Sequence, residues 1–295
     1  MSPSPPVIIA VPVYRPTPDA DEELSLRHLK HHLGDHPMAW VMPEGLDLTS
    51  YERLLPGAHR VSFHPDHFRS RAAYSRLLRS AEFYRAFEGC EFLLIHQLDC
   101  LVFSDQLQRW AGMPYDYIGA PWIARTGNDA RWIAGNGGFS LRRIDALLRV
   151  LTSRRFTRTL PRRAIDHLAH IDRKHHLLPN AWLRRCIPLP DETNVPPCRW
   201  HGAELNEVRR TLFWSVQGGL RGYLEHSTLH EDLFWSLVAP LFDPALRVAP
   251  PDTAVRFAFE MEPRWCFAQT GGELPFGCHA WQKYDRAFWE PFLLK

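Results

Sequence analysis

The segment Glu91–Phe103, EFLLIHQLDCLVF, constrains the fold more than any other part of this chain. Phe92–Ile95 form an unbroken apolar run, which is typical of a strand buried on both faces of a parallel sheet. Gln97 and Asp99 follow the run directly. A carboxylate at the carboxyl end of a central parallel strand faces the crevice in which open α/β sheets bind ligands. Asp99 is therefore a candidate ligand contact, although an aspartate at a strand end can equally well begin a turn.

The segments around this strand alternate between strand and helix patterns. Short apolar runs predict strands, and segments with apolar residues at the helical period predict helices. In chain order these are strand Val7–Val13, helix Asp19–Leu33, strands Met38–Met42 and Val61–Phe63, helix Ser70–Phe87, strand Tyr115–Trp122, helices Ile144–Leu151 and Thr228–Leu241, and strand Val255–Glu260. Alternation of this kind predicts a doubly wound α/β sheet.

Composition narrows the class of protein. The chain has 295 residues, which suffice for one large domain or two small ones, and its net charge of +2 indicates no nucleic-acid partner. The six cysteines show no Cys-x-x-Cys spacing, so we expect buried free thiols and not a zinc ribbon. No signal peptide and no run of about 18 apolar residues is seen, which predicts a soluble, cytoplasmic protein.

A glycine-rich turn, Gly135-Asn136-Gly137-Gly138, precedes an apolar strand. Glycine allows the backbone to turn sharply and to approach a ligand closely. Exposed N–H groups in such a turn hold phosphate or sugar oxygens, and the Asn136 amide suits sugar hydroxyls. The alternative is an ordinary tight turn without a ligand.

Two further places carry candidate chemistry. Thr228 and Glu231 fit a capping box, which explains Glu231 by helix stability alone and leaves Asp232 unexplained. His279 lies in the predicted loop Leu274–Trp281, and a neutral imidazole is a good ligand for manganese-like ions. The alternative for His279 is a packed or surface histidine, one of 16 in the chain.

Several motifs together resemble a glycosyltransferase-like family known as DUF5672. They are GNGGFSLRR, HEDLFWS, the strand ending at Glu260 and PFGCHAW, with QLDCLVF and DYIGAPW also similar. The resemblance runs from VPVYR to HAW and is weakest in residues 152–225. More widely, the strand that runs into Gln97-Leu98-Asp99 resembles the Asp-x-Asp segment of GT-A glycosyltransferases, with Gln97 in place of the first aspartate.

The resemblance implies a fold and a set of roles. The fold would be a GT-A-like, mixed but mostly parallel sheet flanked by helices, in one domain with a nucleotide-binding half (about 1–125) and an acceptor-side half (about 126–295). Asp99 and His279 would hold a divalent metal, Mn²⁺ or Mg²⁺, on the diphosphate of a nucleotide sugar. Asp232 would be the base of an inverting reaction, with Glu231 as the second candidate. The donor would be contacted by Tyr14, Gln97, Asp99, Asn136, Gly137 and Gly138.

Two residues or segments remain open to interpretation. Glu260 either orients Asn136 or Arg142 or forms a structural ion pair, and we favour the ion pair. Residues 142–185 carry 12 lysines and arginines against three aspartates, a local charge of 12 − 3 = +9. This segment, with a basic insert at 152–200, predicts an anionic saccharide or glycolipid acceptor and peripheral contact with a membrane. The alternative is a solvated helix face.

The sequence as a whole predicts a glycosyltransferase that moves a sugar from a nucleotide diphosphate sugar to an acceptor hydroxyl, in glycan or surface polysaccharide synthesis. A catalytically silent glycan- or nucleotide-sugar-binding protein on the same fold is the alternative. A nucleotidyltransferase is disfavoured, because the residues after the first strand, VPVYRPTPDADEE, are acidic and contain no glycine.

Overall fold

A six-stranded sheet forms the centre of the structure, a computed structural model that describes residues 6–126, 129–153 and 230–294. Its strand order is β3-β2-β1-β4-β9-β6. The strands are β1 (Val7–Pro12), β2 (Met38–Pro43), β3 (His59–Phe63), β4 (Phe92–His96), β6 (Tyr117–Gly119) and β9 (Phe139–Arg143). The first four pair in parallel, whereas β9 runs antiparallel to β4 and to β6. The predicted mixed, mainly parallel α/β sheet is confirmed.

Helices cover both faces of this sheet, which explains the continuous apolar run of β4. Phe92 and Leu94 pack in one core cluster, and Leu93 and Ile95 pack in the other. All of them are buried. Burial of each such side chain contributes about 1.5–3 kcal/mol, so the strand is fixed from both sides. The carboxyl end of β4 is therefore a rigid place for Gln97 and Asp99.

The helices of the first half are short apart from the first. They are α1 (Ala20–Leu33), α2 (Thr49–Leu54), the 3₁₀ turn Pro65–Phe68, α3 (Arg71–Leu77), α4 (Ala81–Arg85), α5 (Leu107–Ala111) and α6 (Ile144–Thr152). Asp19 caps α1 in a capping box with Glu22. The single helix predicted for Ser70–Phe87 was wrong: Ser80 has extended backbone, and its hydroxyl accepts a hydrogen bond from Phe83 N–H. Ser80 therefore starts a new helix instead of continuing the old one.

The later elements form smaller units. β5 (Leu101–Val102), β11 (Gly277–Cys278) and β10 (Ala258–Phe259) make a three-stranded sheet, and β7 (Pro121–Thr126) pairs with β8 (Asp129–Ala134). The helices are α7 (Glu231–Leu233), the π-helical turn Phe234–Val238, α8 (Ala239–Phe242), α9 (Pro251–Phe257), α10 (Pro263–Gln269), α11 (Arg286–Trp289) and the 3₁₀ turn Glu290–Phe292. None of the helices in the described ranges is long and apolar enough to cross a membrane.

Three sequence predictions fail in part in these regions. The predicted strand Val255–Glu260 is mostly helix, because Pro251 at the first helical position favours a helix that continues to Phe257. The predicted strand Tyr115–Trp122 is divided at Ala120, whose carbonyl accepts from the backbone of Gly135 and Asn136. The helix predicted from Thr228 begins at Glu231 in the described residues, and Thr228 lies outside them.

The cysteine prediction holds where it can be followed. Cys90, Cys100, Cys266 and Cys278 are free thiols, and all but Cys90 are buried. Cys186 and Cys198 lie outside the described residues.

Candidate active site

A cleft of about 490 Å³ opens at the carboxyl ends of β1 and β4. β1 pairs with β2 on one side and with β4 on the other, so the strand order reverses between β1 and β4. Open α/β sheets bind ligands at such a switch point. Its volume suits a ligand of nucleotide size. It is lined by Pro12, Tyr14, Glu22, Phe68, Arg69, Ser70, Arg71, Tyr74, Gln97, Leu98 and Asp99. Tyr14 is 61% exposed, and it is the only large hydrophobic residue exposed among those described.

Four polar side chains meet beside this cleft. Asp99 Oδ1 lies 3.4 Å from His279 Nε2, and Gln97 Oε1 lies 3.2 Å from the same nitrogen. On the other side of the ring, His279 Nδ1 lies 3.1 Å from Glu260 Oε1. The Asp99 side chain is 41% exposed and faces the cleft, whereas His279 and Glu260 are nearly buried. The structure thus brings together Gln97, Asp99 and His279, which the sequence had singled out at distant positions.

The small sheet explains why His279 is found here. Cys278 on β11 pairs with Leu101 on β5, only two residues after Asp99. The backbone N–H of His279 donates to Phe259 O (2.9 Å), and that of Trp281 donates to Asp99 O (3.3 Å). Between them Ala280 has a φ of +53°, a left-handed conformation that is uncommon for a residue with a side chain. Backbone pairing therefore holds the imidazole against Asp99.

The electrostatics of this cluster favour positive charge. Burial disfavours the imidazolium form of His279, but Asp99 and Glu260 outweigh it and raise the pKa of His279 to about 10. Burial also disfavours the charged form of Asp99, and here the attraction of His279 prevails and lowers the pKa of Asp99. The second oxygen of Glu260, Oε2, is buried and has no hydrogen-bond partner among the residues that the structure describes. Carboxylate and amide oxygens thus surround the ring of His279 and stabilise its imidazolium form.

Asp99, His279 and Gln97 are the residues here that could hold a divalent metal together with a substrate, which requires that His279 Nε2 lose its proton. No group of three or more His, Cys, Asp or Glu side chains in the described ranges is arranged to hold an ion. Asp99 and His279 would supply two ligands, and Gln97 would add an amide oxygen that lies 3.2 Å from the same His279 nitrogen. Mg²⁺ is commonly held by one or two carboxylates together with substrate phosphates and water. Glu260 on the far side of the ring matches the carboxylate that orients a metal-binding histidine.

The glycine-rich turn is a packing surface. A Cβ at Gly135 would lie 2.2 Å from Ser236 Cβ, at Gly137 2.0 Å from Glu231 Oε1, and at Gly138 2.2 Å from His279 Nε2. The N–H of Gly138 donates to Asn136 Oδ1 (2.8 Å), and Asn136 is buried. The glycines are therefore required by close neighbours from the later part of the chain. Contact of Asn136, Gly137 and Gly138 with a sugar stays a prediction.

Glu231 and Asp232 differ in environment although they are adjacent. Glu231 is buried, and its Oε1 accepts from Arg142 Nη2 at 2.9 Å. The capping-box interpretation was wrong, because Glu231 is the first residue of α7 and pairs with Arg142 instead. Asp232 makes no ion pair among the described residues, and its Oδ1 accepts from Leu233 N–H (2.8 Å). Burial, together with Glu231 and Glu260, raises the pKa of Asp232 to about 7.

Sequence reasoning missed the partner of one residue and a group of residues that line the cleft. Glu260 forms the predicted ion pair, but its partner, His279, was not predicted. Arg69, Ser70, Arg71 and Tyr74 line the cleft, although the helical pattern of their segment indicated only packing. Arg71 is exposed and forms no ion pair with a described residue. The only sequence signal was that Arg69 and Arg71 flank Ser70, the predicted start of the helix.

The basic segment can be followed only at its start. Arg142 pairs with Glu231, Arg143 with Glu91 and Asp116, and Arg149 with Asp243. These first arginines therefore do not form a free basic surface. The rest of the segment, residues 154–185, lies outside the described residues.

The sequence profile of the family described as "Protein of unknown function (DUF5672)" matches residues 58–279. The chain belongs to this family. Three quarters of this DUF5672 protein lie within the match, which includes Asp99, Asp232 and His279. No protein of curated function matches the chain.

Solved structures similar to this DUF5672 protein include glycosyltransferases. Galactosyltransferase LgtC, solved with donor and acceptor sugar analogs, has a TM-score of 0.47 and 12% identity over 97% of this chain and 93% of its own. Glycosyltransferase GlyE from Streptococcus pneumoniae TIGR4 has a TM-score of 0.41 and 11% identity over 98% and 60%. Core-mannan synthase A (CmsA/Ktr4) from Aspergillus fumigatus, in a Mn/GDP form, has a TM-score of 0.33 and 9% identity over 48% and 60%. The DUF5672 chain thus spans three fifths of the length of GlyE and of CmsA.

Proposed function

We propose that this protein is a glycosyltransferase that moves a sugar from a nucleotide diphosphate sugar to an acceptor hydroxyl. The observation that carries the proposal is the meeting of Asp99, Gln97 and His279 at the mouth of the cleft between β1 and β4. Exposed Tyr14 lies in the same cleft. A nucleoside diphosphate is bound by an aromatic face for its base and by cationic groups for its phosphates, and Tyr14 and Arg71 line this cleft.

Each part of the donor has a candidate contact. The base would stack on Tyr14, since stacking on an aromatic ring needs no particular base edge. The diphosphate would lie between Arg71 and Asp99, which line the cleft together. The sugar would then extend toward Asn136 and Gly138, next to His279. The base and the sugar are not specified by these contacts.

Asp99 and His279 would hold a divalent metal, Mn²⁺ or Mg²⁺, with the amide oxygen of Gln97 close by. Such an ion neutralises charge on a leaving diphosphate. Gln97 contributes no charge, so we expect weaker metal binding than with a second aspartate. Glu260 would keep the imidazole of His279 oriented through Nδ1.

Asp232 would be the general base. It has no cationic partner among the described residues, and its raised pKa places proton uptake near neutral pH, where a base is most effective. Glu231 is a poorer candidate, because Arg142 already occupies one of its oxygens. A single base on the face opposite the leaving group implies inversion at the anomeric carbon. The acceptor would be a saccharide or glycolipid of a glycan or surface polysaccharide.

The test is calorimetric titration of UDP, GDP, ADP and CDP with and without Mn²⁺. We expect at least one of them to bind more tightly with Mn²⁺, and Asp99→Ala to lose this gain. Asp47→Ala, at an exposed loop position outside the cleft, is the matched control. Absence of binding by all four, or identical binding to Asp99→Ala, would contradict the proposal. Binding of a nucleotide sugar without transfer to any hydroxyl acceptor would favour the silent binding protein.

A further inference from the structure

Arg142, on β9, has its guanidinium group completely buried. A buried guanidinium is tolerated only when its N–H groups find acceptors. Nε donates to Ser140 Oγ (2.9 Å) and Nη1 to Tyr84 Oη (3.0 Å). Nη2 donates to Gly137 O (3.1 Å) and to Glu231 Oε1 (2.9 Å). The group therefore has almost no freedom to move.

The partners of Arg142 belong to parts of the chain that are far apart in sequence. Gly137 and Ser140 belong to the glycine-rich turn and the start of β9, whereas Glu231 opens α7. The turn and the helix touch directly as well, since a Cβ at Gly137 would meet Glu231 Oε1. Arg142 thus joins the turn to the start of α7 through one rigid planar group.

The contacts of Arg142 lie one residue away from Asp232 on one side and from the glycine that packs on His279 on the other. Asp232 follows Glu231, and Gly138, which packs against His279, follows Gly137. The backbone of Gly138 also accepts from Gln97 N–H (3.0 Å), next to Asp99. A shift of Arg142 would therefore move Asp232 relative to the cluster of Asp99 and His279.

We propose that Arg142 is a positioning residue for the proposed transfer: its guanidinium fixes the glycine-rich turn to Glu231 and so sets the placement of Asp232 relative to Asp99 and His279. This inference rests on the proposed function for its effect on turnover. Lysine keeps the charge but cannot bind the turn and Glu231 at the same time through a planar fork. A displacement of about 1 Å at a reacting group lowers turnover by up to about 100-fold.

The charged groups around Asp232 give a second readout. Glu231, Glu260 and Arg142 face it, and the negative charge of Glu231 makes its ionisation harder. Glu231→Gln removes this charge, so the acidic limb of the pH profile of kcat should move to lower pH. This shift reports the environment of Asp232, whereas the role of Arg142 is tested by the separate effects of its replacement on kcat and on donor KM.

The experiment compares Arg142→Lys with Arg143→Lys. Arg143 is the next residue on β9, but it pairs with Glu91 and Asp116 and packs on the Phe92 ring. We expect Arg142→Lys to lower kcat at least about tenfold with donor KM within about twofold. Arg143→Lys should retain the kcat of the parent. If Arg142→Lys does not fold, the double change Arg142→Met with Glu231→Leu replaces the pair by apolar groups and should show the same loss of kcat.

A parent kcat in folded Arg142→Lys, or in the double variant, would overturn the inference. A parent protein that transfers no sugar would count against the proposed function alone. In that case amide hydrogen exchange still tests the geometry, because Gly138 N–H is held by Asn136 Oδ1 within the turn. Arg142→Lys should speed exchange at Gly138 by at least about tenfold relative to Arg143→Lys, and equal exchange would refute the inference.

Discussion

Replacement of Asp232 by asparagine should lower turnover and, at the same time, raise the free energy of unfolding. The pKa of Asp232 rises from 3.8 to about 7, because this half-buried side chain is desolvated and Glu231 and Glu260 lie near it, whereas Arg142 acts in the other direction. Asparagine keeps the shape but has no charge to lose or gain. The variant therefore removes the proposed base and also the free-energy cost of desolvating a carboxylate.

The sign of the stability effect follows from the two pKa values. The folded protein holds the proton more tightly than the unfolded chain, so this proton stabilises the fold fully below about pH 3.8, and the benefit is lost as pH rises to about 7. Each pH unit in this window is worth about 1.4 kcal/mol, which gives an upper bound of about 4 kcal/mol. The free energy of unfolding of Asp232→Asn should exceed that of the parent increasingly between these pH values.

Urea denaturation at pH 4.5, 6 and 8 measures this difference, with Asp252→Asn at an exposed position as the control. The free energy of unfolding of Asp232→Asn minus that of the parent should increase with pH, and by more than the same difference for the control. Turnover of Asp232→Asn should fall by about 10²–10⁴-fold with donor affinity unchanged, and turnover of the parent should rise with pH up to about 7. A difference in the free energy of unfolding that does not change with pH would refute the raised pKa of Asp232. Full turnover in the variant would refute the base.

Three other changes test the remaining features. Gly138→Ala places a methyl group 2.2 Å from His279 Nε2 and should abolish the Mn²⁺ gain in nucleotide affinity, whereas Gly112→Ala, with its nearest neighbour at 3.4 Å, should not; equal titrations would contradict this. Glu260→Gln should weaken Mn²⁺ affinity by about 10–100-fold, measured by metal titration, and an unchanged affinity would exclude the orienting role. If the basic segment attracts an anionic acceptor, the affinity for the acceptor should fall as the salt concentration rises. The fall should be larger in the parent than in a variant with serine in place of Arg154, Arg155 and Arg158, which lie outside the described residues.

Local pattern was enough to predict the framework of the fold. The apolar run of β4 and the strands before it are recognisable because each contains its own period and its own turn signals. The placement of Asp99 at the end of β4 follows from the same pattern. Helix ends were predicted less well, as Ser80 shows, because one capping hydroxyl can divide a segment whose apolar period continues through it.

The contacts of the site were not readable from such patterns. The pairing of Glu260 with His279 and of Arg142 with Glu231 joins residues that are far apart in the chain, and such pairs leave no local period. Glu231 illustrates the difficulty, because its spacing from Thr228 fits a cap although its side chain binds a buried arginine. The association of Asp99 with His279 came from resemblance to a family and not from spacing.

The pairing of β5 with β11 has a consequence for how this family can vary. Asp99 and His279 keep their separation through the register of two short strands, with Cys278 opposite Leu101. The register depends on backbone hydrogen bonds and not on the length of the chain that connects the strands. Insertions, deletions or exchanged segments between residues 153 and 230 should therefore leave the distance between Asp99 and His279 unchanged. Homologues, or chimaeras built by exchanging that connection, should therefore differ in the exchanged segment while they share the same cluster of Asp99 and His279.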